Sequence, residues 1–331
     1  MQGEQRLEGF AQTVDWALSQ GLTVKGHPLF WSIPKAVPEW VKRYDYPTQL
    51  KFLECRIRSI VARFKGRVAI WDAINEPMWE PAFKNLASRD WPHLDPIAEI
   101  ADYIEPVLRW AREEDPDARY VINDYGLELD PPTGAPKHKD GSLVTAKRQR
   151  LRFLELMREL QNRGAAPDAL GLQSHTGGWM PHADQIALYD EMATSGLPVH
   201  ITEFWADTKH LDPAKIPQPV IDELQAEYVA NYLTCAFAHP AVETFFFWGF
   251  NALRWIGTRS GHELTPVYHR VRRLLREEWL TTAELTTDSE GNARFRGFTG
   301  EYRLRHPTPL GLRGVAFQVS KQAGMPLTIV V

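Results

Sequence analysis

The chain predicts an α/β fold in which a mainly parallel sheet is covered by helices, and three observations carry that expectation. Apolar, strand-like runs alternate with amphipathic, helix-like runs along most of the sequence. Two of the strand-like runs, Ile70-Trp71-Asp72-Ala73-Ile74-Asn75-Glu76 and Pro198-Val199-His200-Ile201-Thr202-Glu203, lead straight into a glutamate. Proline- and glycine-rich stretches such as Asp130–Gly141 and His210–Pro219 follow strands as long loops. In parallel α/β folds such loops sit at the carboxyl ends of the strands, where ligands bind.

The elements follow in order. A first helix is expected over about residues 8–20, with Phe10, Val14, Ala17 and Leu18 at helical spacing and Gly21 as its stop. Strands are expected near 22–30, 67–74, 118–123, 168–173, 197–203 and 243–249. Helices fill the intervals near 47–64, 95–114, 143–163, 183–194 and 215–237, and another follows near 264–278. This makes six strand–helix units after the first helix. Beyond about residue 282 the texture changes, with a turn-like Thr286–Asn292 and short alternating segments at 293–305, 314–320 and 326–331. The expected division is a catalytic α/β domain over 1–281 and a small β appendage over 282–331.

Composition narrows the function classes. The 331 residues suffice for one large core, and 44% hydrophobic with 24% charged residues is an ordinary globular balance. No apolar run approaches the roughly 20 residues of a spanning helix, so no membrane partner is expected. A net charge of −4 with interspersed signs offers no basic stripe for nucleic acid. The opening Met1–Arg6 has no apolar core of a signal peptide, which leaves secreted and intracellular locations both open. Cys55 and Cys235 fall in separate helical patterns and are expected to be free thiols. His27, His175 and His200 lie on separate strands without metal-site spacing, and no glycine-rich phosphate loop occurs, so neither metal nor cofactor is expected.

The chemistry is expected at the two glutamates. A lone glutamate is costly to bury and rarely closes an apolar strand without a task. Two strands ending in this way can point two carboxylates at one bond, the arrangement of retaining glycoside hydrolysis, where the carboxyls stand about 5–5.5 Å apart. Twelve tryptophans fit this expectation, because indole faces stack on the C–H side of a sugar ring, although core filling competes for the same side chains.

Six motifs in order, Gly26-His27-Pro28-Leu29-Phe30-Trp31, Trp71-Asp72-Ala73-Ile74-Asn75-Glu76, Ile122-Asn123-Asp124-Tyr125, Gln173-Ser174-His175, Ile201-Thr202-Glu203 and Trp248-Gly249, resemble glycoside hydrolase family 10 over roughly residues 1–280. That family consists mostly of endo-β-1,4-xylanases on a TIM-type (β/α)8 barrel. The resemblance therefore implies such a barrel, N-terminally truncated because residues 1–21 match the helix before the third strand. It implies a retaining endo-β-1,4-xylanase that needs no cofactor and takes xylan and xylo-oligosaccharides, with Glu76 as acid/base and Glu203 as nucleophile. Asn75 would hydrogen-bond the sugar 2-hydroxyl, His175 would orient Glu203, and Gln173 would contact the glycone. His27 and Trp31 resemble glycone-side contacts, Trp248 and Trp255 the aromatic walls, and Tyr125 a cleft residue. Trp79, Trp179 and Trp205 are candidate platforms for outer sugars.

The resemblance has departures. The family's second strand supplies an acidic residue, an asparagine and a lysine that grip the glycone, and none has a counterpart here. Trp205 stands where an aspartate is usual two residues after the nucleophile, with Asp207 the nearest substitute; Gly126 replaces an asparagine and Ser32 a histidine. Sheet edges near 22–30 and 243–249 would be open, to be covered by a partner chain in a homo-oligomer, by strand exchange or by the C-terminal β segments. The competing readings are a non-catalytic or weakly active carbohydrate-binding fragment and a cellulase-like retaining β-glycanase.

Overall fold

Helix α1 (Glu8–Ser19) stops where the sequence says it should. Gly21 takes a left-handed φ of 71°, Leu22 N–H reaches back to Ala17 O at 3.0 Å, and Gly21 N–H reaches Leu18 O at 2.9 Å. The computed structural model describes residues 5–88, 90–249, 264–308 and 311–320. It divides into two compact units, Met1–Val267 and Tyr268–Val331.

In the first unit strands and helices alternate as β1 (Lys25–Gly26), β2 (Phe30–Trp31), α2 (Tyr46–Phe64), β3 (Ile70–Asn75), α3 (Ile97–Glu114) and β4 (Arg119–Asp124). They continue as α4 (Ala146–Asn162), β5 (Ala169–Leu172), β6 (His175–Thr176), α5 (His182–Ala193), β7 (Val199–Ala206), α6 (Gln218–Ala238) and β8 (Val242–Phe247). Every pairing in this sheet is parallel. β1 and β2 both pair with β3, and β5 and β6 both pair with β7, so the eight short strands fill six positions in chain order. A parallel neighbour needs a crossover, and each helix from α2 to α6 supplies one. The result is an arc of a (β/α) barrel with β1/β2 at one edge and β8 at the other.

Burial follows this order. In β3 and β4 every residue after the first is buried, as expected for strands covered on both faces. On β8, Phe245, Phe246 and Phe247 stay part-exposed, which marks the edge. Ile57, Val61 and Phe64 of α2, Ile104 and Leu108 of α3, and Phe153, Met157 and Leu160 of α4 are buried. On α1 only Val14 is buried, while Leu18 is 39% and Trp16 61% exposed, so its predicted apolar face is packed only in part.

The expected elements differ from the observed ones in particular places. The strand expected near 22–30 is broken, because Pro28 has no N–H to donate and the ladder resumes with Leu29 N–H on Asp72 O at 2.9 Å. The strand expected near 168–173 forms as Ala169–Leu172, and beyond Ser174, whose φ is 57°, the ladder continues as β6. α4 starts at Ala146 instead of 143, where Thr145 Oγ1 accepts Arg148 N–H at 3.1 Å. α7 (Pro266–Arg273) continues into a π-helical turn, Leu274–Glu278. In the second unit β9 (Gly300–Thr308) and β10 (Gly311–Val319) pair antiparallel with each other, so residues 293–299 are not strand; the strand expected at 326–331 lies outside the described residues. Cys55 and Cys235 are free thiols, and among the described residues no helix is long and apolar enough to cross a membrane.

Phe153 on α4 is fully buried. Phe153→Ala should cost about 3–5 kcal/mol by leaving a cavity, read as a lower urea midpoint at unchanged slope.

Candidate active site

The site is assembled at the carboxyl ends of β3, β4, β5 and β7. Glu76 follows β3 directly and adopts a left-handed φ of 58°, unusual for a residue with a Cβ. Its N–H donates to Asn123 O at 2.7 Å, tying the turn to the end of β4. Two residues on, Met78 N–H donates to Asp124 Oδ2 at 2.7 Å, and Gln149 Nε2 donates to Met78 O at 2.7 Å. The register shift between Asp72 and Ile74 on the β3–β4 ladder re-aims this strand end.

A chain of amides joins the two glutamates. Thr202 Oγ1 donates to Asn123 Oδ1, which fixes that side chain with its two N–H groups facing inward. Asn123 Nδ2 donates to Glu203 Oε1 at 2.7 Å and to Asn75 Oδ1 at 2.9 Å. Asn75 Oδ1 also accepts from Gln173 Nε2 at 3.3 Å, and Gln173 Nε2 donates to Glu76 Oε1 at 3.0 Å. Glu76, Gln173, Asn75, Asn123 and Glu203 thus form one network drawn from four strand ends.

The remaining side of Glu203 faces histidines. His175 Nε2 lies 2.9 Å from Glu203 Oε2, and His27 Nδ1 lies 3.7 Å from Oε1. His27 Nδ1 is held by buried Asp72 at 2.8 Å, and Lys25 Nζ, itself nearly buried, stands 2.5 Å from the same carboxylate oxygen. His27, Asp72 and Glu203 could each offer a ligand atom to a metal ion, all within 4.8 Å of one another. The Lys25 ammonium supplies positive charge to that cluster at Asp72. Trp248 follows β8, is 38% exposed, and turns edge-on to His27 (5.7 Å between centroids) and to His175 (5.6 Å). Trp205 pairs across the ladder with His175 and meets its ring edge-on at 6.1 Å. Asp207 does not stand in for the missing aspartate: its carboxylate accepts Lys209 N–H at 2.7 Å and faces the Lys209 ammonium at 3.4 Å.

The charges follow from burial. Burial, countered by the Gln173 hydrogen bond and reinforced by the charge of Glu203, raises the proton affinity of Glu76 above the ordinary glutamate range. Glu80, four residues on and 6% exposed, is pushed up to about 7 by burial and by the Glu76 charge. Burial also raises the Tyr125 hydroxyl, so it stays neutral and able to donate.

The aromatic residues sort themselves. Trp31 on β2 has its indole nitrogen buried on the side of Glu76, whose ionised form it favours. Tyr125, Trp79 and Trp91 form a near-parallel stack, with centroids 5.3 and 5.9 Å apart. Trp79, expected as an outer platform, is only 4% exposed and donates its indole N–H to Tyr125 O at 2.6 Å; the exposed face belongs to Trp91, at 53%. Gly126 explains the burial, because its φ is 61° and a Cβ there would lie 2.9 Å from the Trp79 ring. Trp179 is likewise committed to the protein, stacked on Tyr228 at 4.7 Å and donating to Asp207 O at 3.0 Å. Trp255 lies outside the described residues.

Of the residues singled out in the sequence, Glu76, Glu203, Asn75, Gln173, His175, His27 and Trp248 are linked by the hydrogen bonds and ring contacts above, and Trp31 and Tyr125 stand on the strand ends beside them. Sequence reading missed Asn123, Thr202, Asp72 and Lys25 as members of the site. The available signal was polar side chains inside strands otherwise buried on both faces, such as Asp72 in Ile70–Asn75.

Parallel strand–helix units carrying two linked glutamates at their carboxyl ends define a glycoside-hydrolase-type site. The model of glycosyl hydrolase family 10 matches residues 1–268, and the chain belongs to that family. It is 28% identical over 304 residues to the anti-sigma-I factor RsgI6 of Acetivibrio thermocellus, covering 89% of this chain and 34% of that protein. It is 30% identical over 234 residues to endo-1,4-beta-xylanase C of Paenibacillus barcinonensis, covering 66% of this chain and 20% of that protein. The chain thus spans about a third or less of these curated relatives. In fold it is similar to xylanase 10B of Thermotoga petrophila in complex with xylobiose, with a TM-score of 0.61 and 22% identity over 83% of this chain and 80% of that one. The Paenibacillus barcinonensis GH10 structure gives a TM-score of 0.65 at 20% identity, over 86% and 84%.

Two outcomes are expected. Carbon-13 titration of the Glu76 carboxyl should give a midpoint above the usual value of about 4.3, and Gln173→Met, by removing a donor to the ionised form, should raise it further; a midpoint at or below the usual value contradicts this electrostatic reading. Gly126→Ala should lose about 1–2 kcal/mol to the left-handed backbone alone and should shift tryptophan fluorescence as Trp79 moves.

Proposed function

We propose that the chain is a retaining endo-β-1,4-xylanase that cleaves internal bonds of xylan by double displacement. The observation that carries the proposal is the amide network between Glu76 and Glu203, in which burial raises the proton affinity of one glutamate while the other accepts from Asn123. Glu203 attacks the anomeric carbon as protonated Glu76 gives its proton to the leaving oxygen. In the resulting ester Glu203 has no charge, so the repulsion that raised the proton affinity of Glu76 is gone and Glu76 can take a proton from water. The water then releases the sugar with its original configuration.

The surrounding residues fit these roles. Asn75 Oδ1 is occupied by Asn123 and Gln173, so the Asn75 NH2, which also faces Glu76, is the group that would meet the sugar 2-hydroxyl. His27, His175 and the exposed side of Trp248 line the glycone side of Glu203. The leaving sugar must lie against the loop that carries its acid, and there the Tyr125–Trp79–Trp91 stack offers the Trp91 face. Relatives named as xylanases support the pentose polymer over other β-glycans.

A second reading is carbohydrate recognition without turnover. It is favoured by the relative named as an anti-sigma-I factor, which aligns with 89% of this chain. Incubation with xylan and with cellulose, followed by assay of reducing ends, separates the readings. Release from xylan, with the β-anomer appearing first by proton NMR, is the expected result; binding without release supports the second reading, and preferential cleavage of cellulose replaces the substrate. Glu203→Ala should remove turnover by several orders of magnitude, and azide should restore part of it with inverted product. Wild-type rates in that variant would end the assignment of Glu203.

A further inference from the structure

Ser174 separates the side chain that touches Glu76 from the side chain that touches Glu203. Gln173 donates to Glu76 at 3.0 Å and His175 stands 2.9 Å from Glu203. Ser174 itself has a φ of 57°, a left-handed backbone that an L-residue with a Cβ keeps only when its surroundings hold it there. Across this residue the ladder with β7 slips by one: Leu172 faces Ile201, whereas His175 faces Trp205. A one-residue slip decides which face a side chain points to, so the Ser174 conformation selects the side on which His175 meets Glu203.

What holds Ser174 is Glu128, in the loop after β4. Glu128 Oε1 accepts both Ser174 N–H at 2.8 Å and Ser174 Oγ–H at 3.1 Å. Glu128 Oε2 accepts Leu127 N–H at 3.1 Å, which fixes the carboxylate plane. Tyr232 donates its hydroxyl to Ser174 Oγ at 3.2 Å from α6. Glu128 is 4% exposed, Ser174 is fully buried, and neither touches the two reacting glutamates. A carboxylate buried at this cost, with its hydrogen bonds going to Ser174 and to its own loop, calls for a reason beyond filling space.

We propose that Glu128 is a positioning residue that sets Gln173 and His175 together by clamping Ser174 in its left-handed conformation. The proposal rests on the reading of Glu76 and Glu203 as the reacting pair. A glutamine at 128 has one oxygen and one NH2, so it can serve Ser174 or Leu127 but not both. Glycine at 174 adopts the left-handed backbone without a clamp, and this makes the mechanism separable from plain structural support.

The test uses Glu128→Gln, Ser174→Gly and the double variant in the full chain. Glu128→Gln should lower kcat about 100-fold, the scale of a misplaced reacting group. It should also move the basic limb of the kcat/KM pH profile upward, because Glu76 loses the donor that favours its ionised form. Ser174→Gly alone should stay within about tenfold of wild type, and in that background the Glu128→Gln loss should shrink to less than about tenfold, with the basic limb returning toward its original position. Equal losses in both backgrounds, or an unmoved basic limb, overturn the proposal. Amide exchange supplies a readout independent of turnover: peptides spanning 173–175 should exchange faster in Glu128→Gln while the helices keep wild-type protection. Unchanged exchange at 173–175 likewise overturns the clamp. A wild-type chain without turnover on xylan would remove the xylanase reading and leave the exchange result to decide the clamp.

Discussion

The hydrogen bonds of one buried amide, Asn123, hold the two halves of this site in relation to each other. Its oxygen is taken by the Thr202 hydroxyl, so its two N–H groups have only Asn75 and Glu203 to serve. The electrostatics explain why such a group is needed. At the separation of roughly 5.5 Å that double displacement uses, two full negative charges repel by about 3 kcal/mol at an effective dielectric of about 20. In the proposed double displacement, a proton kept on one of the two carboxyls relieves this repulsion. Asn123 donates to Glu203 and His175 stands beside it, while burial and the neighbouring charge raise the proton affinity of Glu76.

The same short segment places more than this amide. Asn123, Asp124 and Glu128 lie within six residues at the end of β4, and each reaches a different neighbour: Glu203, Met78 and Ser174. Two of these contacts brace the residues with positive φ that flank the chemistry. Asp124 grips the turn that holds Glu76 in its left-handed conformation, and Glu128 grips Ser174. Strained backbone of this kind costs on the order of 1–3 kcal/mol for each residue. The fold sustains both positions from a central strand that is buried on both faces and paired on both sides.

This division explains what could be read in the sequence. Alternating apolar periodicity gave the parallel order and the helices that cross over it, because those depend on local pattern and on the chirality of the crossover. Glu76 and Glu203 stood out because each closes an apolar strand with a carboxylate, whereas Gln173 and His175 were named only through the family resemblance. Asn123 and Glu128 were not legible as partners, since their roles depend on the register between strands, which a single strand does not encode. The breaks at Pro28 and Ser174 show the same limit from two sides: the first follows from a missing N–H, while the second exists only because a carboxylate from another loop sustains it. Trp79 was misjudged for a related reason. A tryptophan in a post-strand loop looks available, and only Gly126, one strand–helix unit further along the chain, makes the room that buries it.

The departures from the family pattern also cease to be independent of their surroundings once the contacts are known. Gly126 and Trp79 form a matched pair, one without a Cβ and the other filling that space. Trp205 stands where the family usually has an aspartate, and here it meets His175 with an edge-on ring contact, on the order of 0.5–1.5 kcal/mol. His175 is then held chiefly by Glu203 itself and by the edges of Trp205 and Trp248.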